Sequence, residues 1–290
     1  MVKPSCKSDY HLDYEEGEKM NYHSDKWIMD RVREHYNEAL EYFPEDRIVC
    51  LILQGSQNYQ LDTPNSDVDT KLIVTPTFED LVFNRKPYST THIRENNEHI
   101  DFKDVRLYLE TFRKQNLNFL EILYSQYSIV NPKYESMWNI LIENREAITH
   151  YNPLRAVKSM KGIAMEKYYA MEHPYPSKIE LIEKYGYDFK QLHHLLRVED
   201  YLERYIAGED YKSCLSPTSP EYLVAVKQGK YNLAEARLVA NGSIERITMM
   251  CDEFYANHEE RTDQDVDKML DNVQYQIMYE ALYGGNNEKN

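Results

Sequence analysis

From position 26 to 42 the apolar residues Trp27, Ile28, Val32, Tyr36 and Leu40 recur at helical spacing, which predicts an amphipathic helix. The polar residues before it show no period, so 1–25 reads as a loose extension. The next signal differs in kind. Positions 47–53 form a continuous apolar run, as a central strand buried on both faces requires. Gly55-Ser56 breaks that run. A second strand is predicted over 67–74 and a third over 98–103. Asp104 is then placed to cap a helix whose apolar face carries Val105, Leu109 and Phe112.

After Pro153 the pattern becomes helical throughout, with amphipathic segments at 154–172, 188–207, 219–240, 242–259 and 263–283. Pro, Gly and Ser clusters, such as His173-Pro174-Tyr175-Pro176 and Ser216-Pro217, separate them, with a further break expected at Asn241-Gly242. The fold class expected is therefore α+β. A mixed sheet with flanking helices over 26–152 precedes an all-helical domain over 153–290.

Composition narrows the function. The chain has 290 residues, with 34 Lys and Arg against 49 Asp and Glu, a net charge of −15. That balance argues against a broad nucleic-acid footprint, which cationic side chains drive, though it leaves room for a local basic groove. No stretch has the length of a membrane span, and no apolar segment follows Met1-Val2-Lys3-Pro4-Ser5 as a signal peptide demands. The expectation is a soluble, cytoplasmic protein. Its four cysteines are scattered and form no thiolate metal site, and Cys50 falls inside the first strand as a small hydrophobe.

The chemistry concentrates in one stretch: Gly55-Ser56, ten residues, then Asp67-Val68-Asp69. Alternation along a strand puts Asp67 and Asp69 on one face, about 6–7 Å apart. Side-by-side carboxylates raise each other's pKa, a cost that a divalent cation such as Mg²⁺ relieves. Gly55 lets backbone approach a ligand closely, and the Ser56 hydroxyl and neighbouring amides can hold a phosphate. An Asp-x-Asp alone is common on solvated strands; the ordered combination is what points to a site.

That combination, Gly55-Ser56-Gln57-Asn58-Tyr59-Gln60-Leu61 through Ser66-Asp67-Val68-Asp69, resembles the nucleotidyltransferases of the DNA polymerase beta superfamily. It is nearest the predicted bacterial and phage members associated with RNA repair. The stretches 104–109, 116–125 and 190–197 are similar to that group too, so the resemblance covers roughly 45–205. It implies a carboxylate triad holding two Mg²⁺ (or Mn²⁺), an NTP as donor, and an acceptor hydroxyl on RNA such as a tRNA end, or on a protein or small molecule. A non-catalytic nucleotide-binding regulator is the rival. The third carboxylate would be Asp101, which faces the open side with His99 and Lys103, while Asp104 suits the cap.

Lys190, His194, Arg197 and Tyr201 form one stripe of the predicted helix from 188. The spacing alone equally describes a solvated face; the resemblance implies cations over the triphosphate. Lys158, Lys161 and Lys167 are candidates for the edge of an acceptor groove. The tyrosines at helical spacing read mainly as packing residues, and the acidic 263–271 run as a helix start.

Overall fold

The structure, a computed structural model, describes residues 21–284. Helix α1 (Asp25–Tyr42) starts where Ser24 accepts a hydrogen bond from the Trp27 N–H, and buries Ile28, Val32 and Ala39. There follow β1 (Ile48–Gln54), β2 (Asp69–Val74), a one-turn α2 (Phe78–Val82), β3 (Ser89–Ile93), β4 (His99–Asp104), α3 (Val105–Arg113), α4 (Leu117–Leu120) and β5 (Ser128–Val130). The sheet order is β3-β4-β2-β1-β5. Only β2 and β4 run parallel, so the sheet is mixed, as expected.

Alternation sorts the sheet's two faces. Leu51, Leu53, Leu72, Val74, Ile100 and Phe102 pack beneath Ile28 and Val32 of α1. Cys50, Ile52 and Ile73 turn to the opposite face and join the larger core. Past Val130 every described element is helical: α5 (Glu135–Glu143), α6 (Arg145–Thr149), α7 (Pro153–Ala170), α8 (Ile179–Tyr185), α9 (Phe189–Ile206), α10 (Tyr211–Leu215), α11 (Pro220–Lys227), α12 (Leu233–Asn257) and α13 (Gln264–Tyr283). The α+β architecture stands as read. No helix among the described residues is long and apolar enough to cross a membrane.

Three local readings change. Of the extension expected over 1–25, residues 1–20 lie outside the described residues. Tyr22 and His23, however, donate their backbone N–H groups to the Asp62 carboxylate, and the Asn21 amide donates to the Gln57 carbonyl. Asn241-Gly242 does not break a helix, because α12 runs through it: the Tyr168 hydroxyl donates to Asn241 at 2.6 Å, and Ser243 is buried. The break falls earlier, where Gly229 takes φ 88° and Asn232 opens α12 with a capping box to Glu235. Finally, Tyr201 of the expected stripe is buried in the core rather than presented to a ligand.

Asn152 caps α7 at the place expected for a boundary, yet one apolar cluster crosses it, holding Ile52 and Ile73 of the sheet together with Leu192 and Leu195 of α9. Asp104 caps α3 as read, accepting from the Arg106 N–H at 2.9 Å and from the Arg106 guanidinium. Replacing it should cost about 1–2 kcal/mol for a lost cap with its charged bond. Urea unfolding of Asp104→Ala against the parent measures that loss; an unchanged midpoint would remove the cap from the account.

Candidate active site

β1 ends at Gln54, and the chain turns through Gly55 with φ 118° and ψ −163°. A side chain strains that backbone, although a Cβ there would meet only the Gln57 side chain at an ordinary 3.5 Å. A 3₁₀ turn over Ser56–Tyr59 follows. The loop then returns to β2 under tight control. Gln57 donates its amide to the Asp67 carbonyl at 2.8 Å, and the Thr63 N–H donates to the Ser66 hydroxyl at 2.9 Å. Gly55, Ser56, Asp67 and Asp69 consequently line one cleft.

Asp67 precedes the β2 ladder, with Val68 buried beneath it and its own side chain exposed, so the shared face expected for the two carboxylates is present. Burial and then the Asp67 charge raise the Asp69 pKa, while the His99 N–H, 2.9 Å from Oδ1, and Lys190 oppose the rise. The pair thus carries negative charge that the protein itself only partly offsets. That donor set fits one hard divalent cation.

The opposing wall is helical. Lys190, His193, His194 and Arg197 of α9, Lys167 of α7 and Lys227 of α11 all face this cleft. They do not contribute alike. Arg197 lies over the Tyr59 ring at 3.7 Å and 3.4 Å from Glu121, so its charge is largely spent inside the protein. Burial and then the neighbouring His193, Arg197 and Lys190 drive the His194 pKa well down, so it offers a neutral imidazole and not the cation expected. Burial likewise pushes His193 down to about 4. Lys190 makes no ion pair with another described residue. Lys227 reaches across from α11 to donate to the Leu61 carbonyl at 3.3 Å and the Ser66 hydroxyl at 3.2 Å.

Asp101 is not brought to the pair. In the parallel ladder Lys71, not Asp69, stands opposite Asp101, and the Lys71 ammonium is 3.2 Å from its carboxylate. The Thr91 hydroxyl takes the other oxygen at 3.1 Å. Among the described residues no three His, Cys, Asp or Glu side chains converge as a metal site, so the expected triad is not assembled. The expected acceptor edge is divided as well: Lys167 lines the cleft, Lys161 pairs with Asp252 at 3.0 Å, and Lys158 sits over Tyr255 at 6.0 Å.

Three participants were not anticipated. Glu121 and Lys227 line the cleft from elements distant in sequence, and only their position in the fold identifies them. Glu98 works from the α1 side of the sheet. Its carboxylate accepts the Val68 N–H at 3.2 Å, between the two aspartates, and is gripped by Arg31, by Arg94 at 2.7 Å and by His35 at 3.0 Å.

No family model and no curated protein matches the chain. Among solved structures it is similar to a nucleotidyltransferase-like protein from Exiguobacterium sibiricum 255-15, at 10% identity over 78% of this chain and 75% of that one, with a TM-score of 0.28. So thin a likeness carries no argument, and the functional reading rests on the cleft.

The Glu98 clamp is testable through pH. Burial favours the neutral acid, but hydrogen bonds from His35 and Arg31 more than reverse this and hold the carboxyl well below its ordinary 4.5. A depressed carboxylate adds stability above its unfolded-state pKa and loses it as pH falls through the folded value. Glu98→Gln should therefore be less stable near neutrality and lose less than the parent on acidification below about pH 4.5. Urea midpoints across that range give the comparison; parallel curves for the two proteins would refute the clamp.

Proposed function

We propose that the chain is a Mg²⁺-dependent nucleotidyltransferase that moves a nucleoside monophosphate from an NTP to an acceptor hydroxyl and releases pyrophosphate. One observation carries the reading. Asp67, Asp69, the Gly55-Ser56 turn, Lys190 and Lys227 line one cleft, where the Lys190 charge acts on Asp69 and the Asp67 charge acts on Lys227. That polarity suits a metal-bound triphosphate: carboxylates toward the cation, ammonium groups toward the remaining phosphate oxygens. When bound, Mg²⁺ would supply charge neutralisation at the α-phosphate.

The chain's own residues divide the remaining work. Asp67 and Asp69 would hold the cation. Ser56 and the amides after Gly55 would receive phosphate oxygens, and Lys190 and Lys227 would neutralise the departing pyrophosphate as the bond from the α-phosphorus to its bridging oxygen breaks. The neutral His193 and His194 add hydrogen-bonding capacity without adding charge. Arg197 supports this wall more than it binds, because Glu121 and Tyr59 already hold it. For the acceptor we propose RNA, such as a tRNA end; its support is the resemblance over 45–205 to the RNA-repair-associated group.

Incubation with each α-labelled NTP, Mg²⁺ or Mn²⁺, and total RNA or protein tests the class and the acceptor together. Label in RNA is the expected result. Label in protein would move the acceptor, and label nowhere would favour a nucleotide-binding regulator. Asp67→Asn and Asp69→Asn should abolish transfer and the thermal stabilisation by Mg²⁺ plus NTP while remaining folded. Lys190→Ala removes a charge-assisted contact of about 1.5–3 kcal/mol, raising the NTP KM about 10- to 150-fold. Arg197→Ala should instead lower the melting temperature, since it strands the buried Glu121. An unaltered KM in Lys190→Ala would return Lys190 to a solvated surface position.

A further inference from the structure

Lys71 follows Asp69 by two residues on β2 and so projects from the same sheet face. Its side chain is only 4% exposed, against 23% for Asp101, to which its ammonium is bound. The ammonium also lies 4.2 Å from the centre of the Phe119 ring, and that of Lys103 approaches the same ring at 4.5 Å. Each Asp101 oxygen already has a partner, Lys71 on one and Thr91 on the other. Turning Asp101 toward a metal would deprive the Lys71 ammonium of its paired carboxylate in a nearly closed site, which burial penalises.

We propose, building on the nucleotidyltransferase reading, that the cleft takes a single divalent cation with its nucleotide, on Asp67 and Asp69, because the Lys71 ammonium holds Asp101 back from a second ion. The two-ion expectation attached to the sequence motif then fails for a local reason: the third carboxylate has been neutralised by the protein's own lysine. Asp101 is a positioning residue for Lys71 and not a ligand.

The test counts ions in the full chain, with Mn²⁺ as probe and the α,β-methylene analogues of the NTPs as non-reacting nucleotides. Calorimetry should give one Mn²⁺ per nucleotide complex, and electron paramagnetic resonance an uncoupled spectrum. Lys71→Met, which frees Asp101, should take up a second, spin-coupled ion. Two coupled ions in the parent would overturn the proposal and leave the transferase reading standing. No Mn²⁺–nucleotide binding by the parent would overturn both. Where Lys71→Met does not fold, Asp101→Asn decides: an unchanged count and affinity support the proposal, and a loss of about tenfold or more in Mn²⁺ affinity, about 1.4 kcal/mol, overturns it.

Discussion

The parallel pairing of β2 with β4 sets what every charged group in this cleft can do. It places Thr70 level with Ile100 and Lys71 level with Asp101, and through the same register brings the His99 N–H onto the Asp69 carboxylate. The residue before His99 completes the hold from behind, where Glu98 accepts the Val68 N–H. Glu98 and His99 at the entry to β4 thus fix Val68 and Asp69 at the entry to β2, and the aspartates flank the fixed peptide. A one-residue slip would exchange the faces of the whole strand. It would carry Asp69 under α1 and Val68 into the cleft.

Such a clamp is costly to build. Glu98 is almost fully buried, and α1 contributes Arg31 and His35 while the turn before β4 contributes Arg94. Buried ion clusters often add little net stability against an apolar alternative, because desolvation consumes what the attraction supplies. What this one adds is position. It ties α1, β2 and β4 together at the level of the aspartates, on the sheet face opposite the cleft, where it does not compete with a ligand.

Much of this was legible in the residue pattern, and the parts that were not share a cause. β1 could be read because a strand covered on both faces must be continuously apolar, and all but Gln54 of its residues are buried. α7, α9 and α13 could be read because each buries one stripe. β3 escaped because it is a polar edge strand, Ser89-Thr90-Thr91-His92-Ile93, with little buried surface to leave a pattern. β5 escaped because three residues are too few for one. Asn241-Gly242 misled because local propensity, worth about 1 kcal/mol at a glycine, yields to the packing of a long helix. Asp67, Asp69, Gly55 and Ser56 were found because they are close in sequence. Asp101 was assigned its face correctly and its partner wrongly, since alternation specifies the face while register specifies the neighbour. Lys227 and Glu121 could not be found at all without the fold.

The cleft's two walls come from segments that the sequence divides near residue 152, yet they do not rest on separate cores. Ile52 and Ile73 beneath the carboxylate wall belong to the same apolar cluster as Leu192, Leu195 and Leu196 beneath the cationic wall. Opening the cleft by moving the walls apart would therefore expose apolar surface, at about 25 cal/mol for each Å². Lys227 adds a direct tie across the mouth, from α11 to Ser66 and Leu61 on the loop that delivers Asp67. The separation between carboxylates and ammonium groups is accordingly set by packing before any ligand arrives. A preformed separation of the two walls spares a binding step their rearrangement. It also accounts for a strongly acidic chain presenting a cationic wall: the helices that carry those lysines are held in place by the core beneath them, whatever the charge of the surface outside.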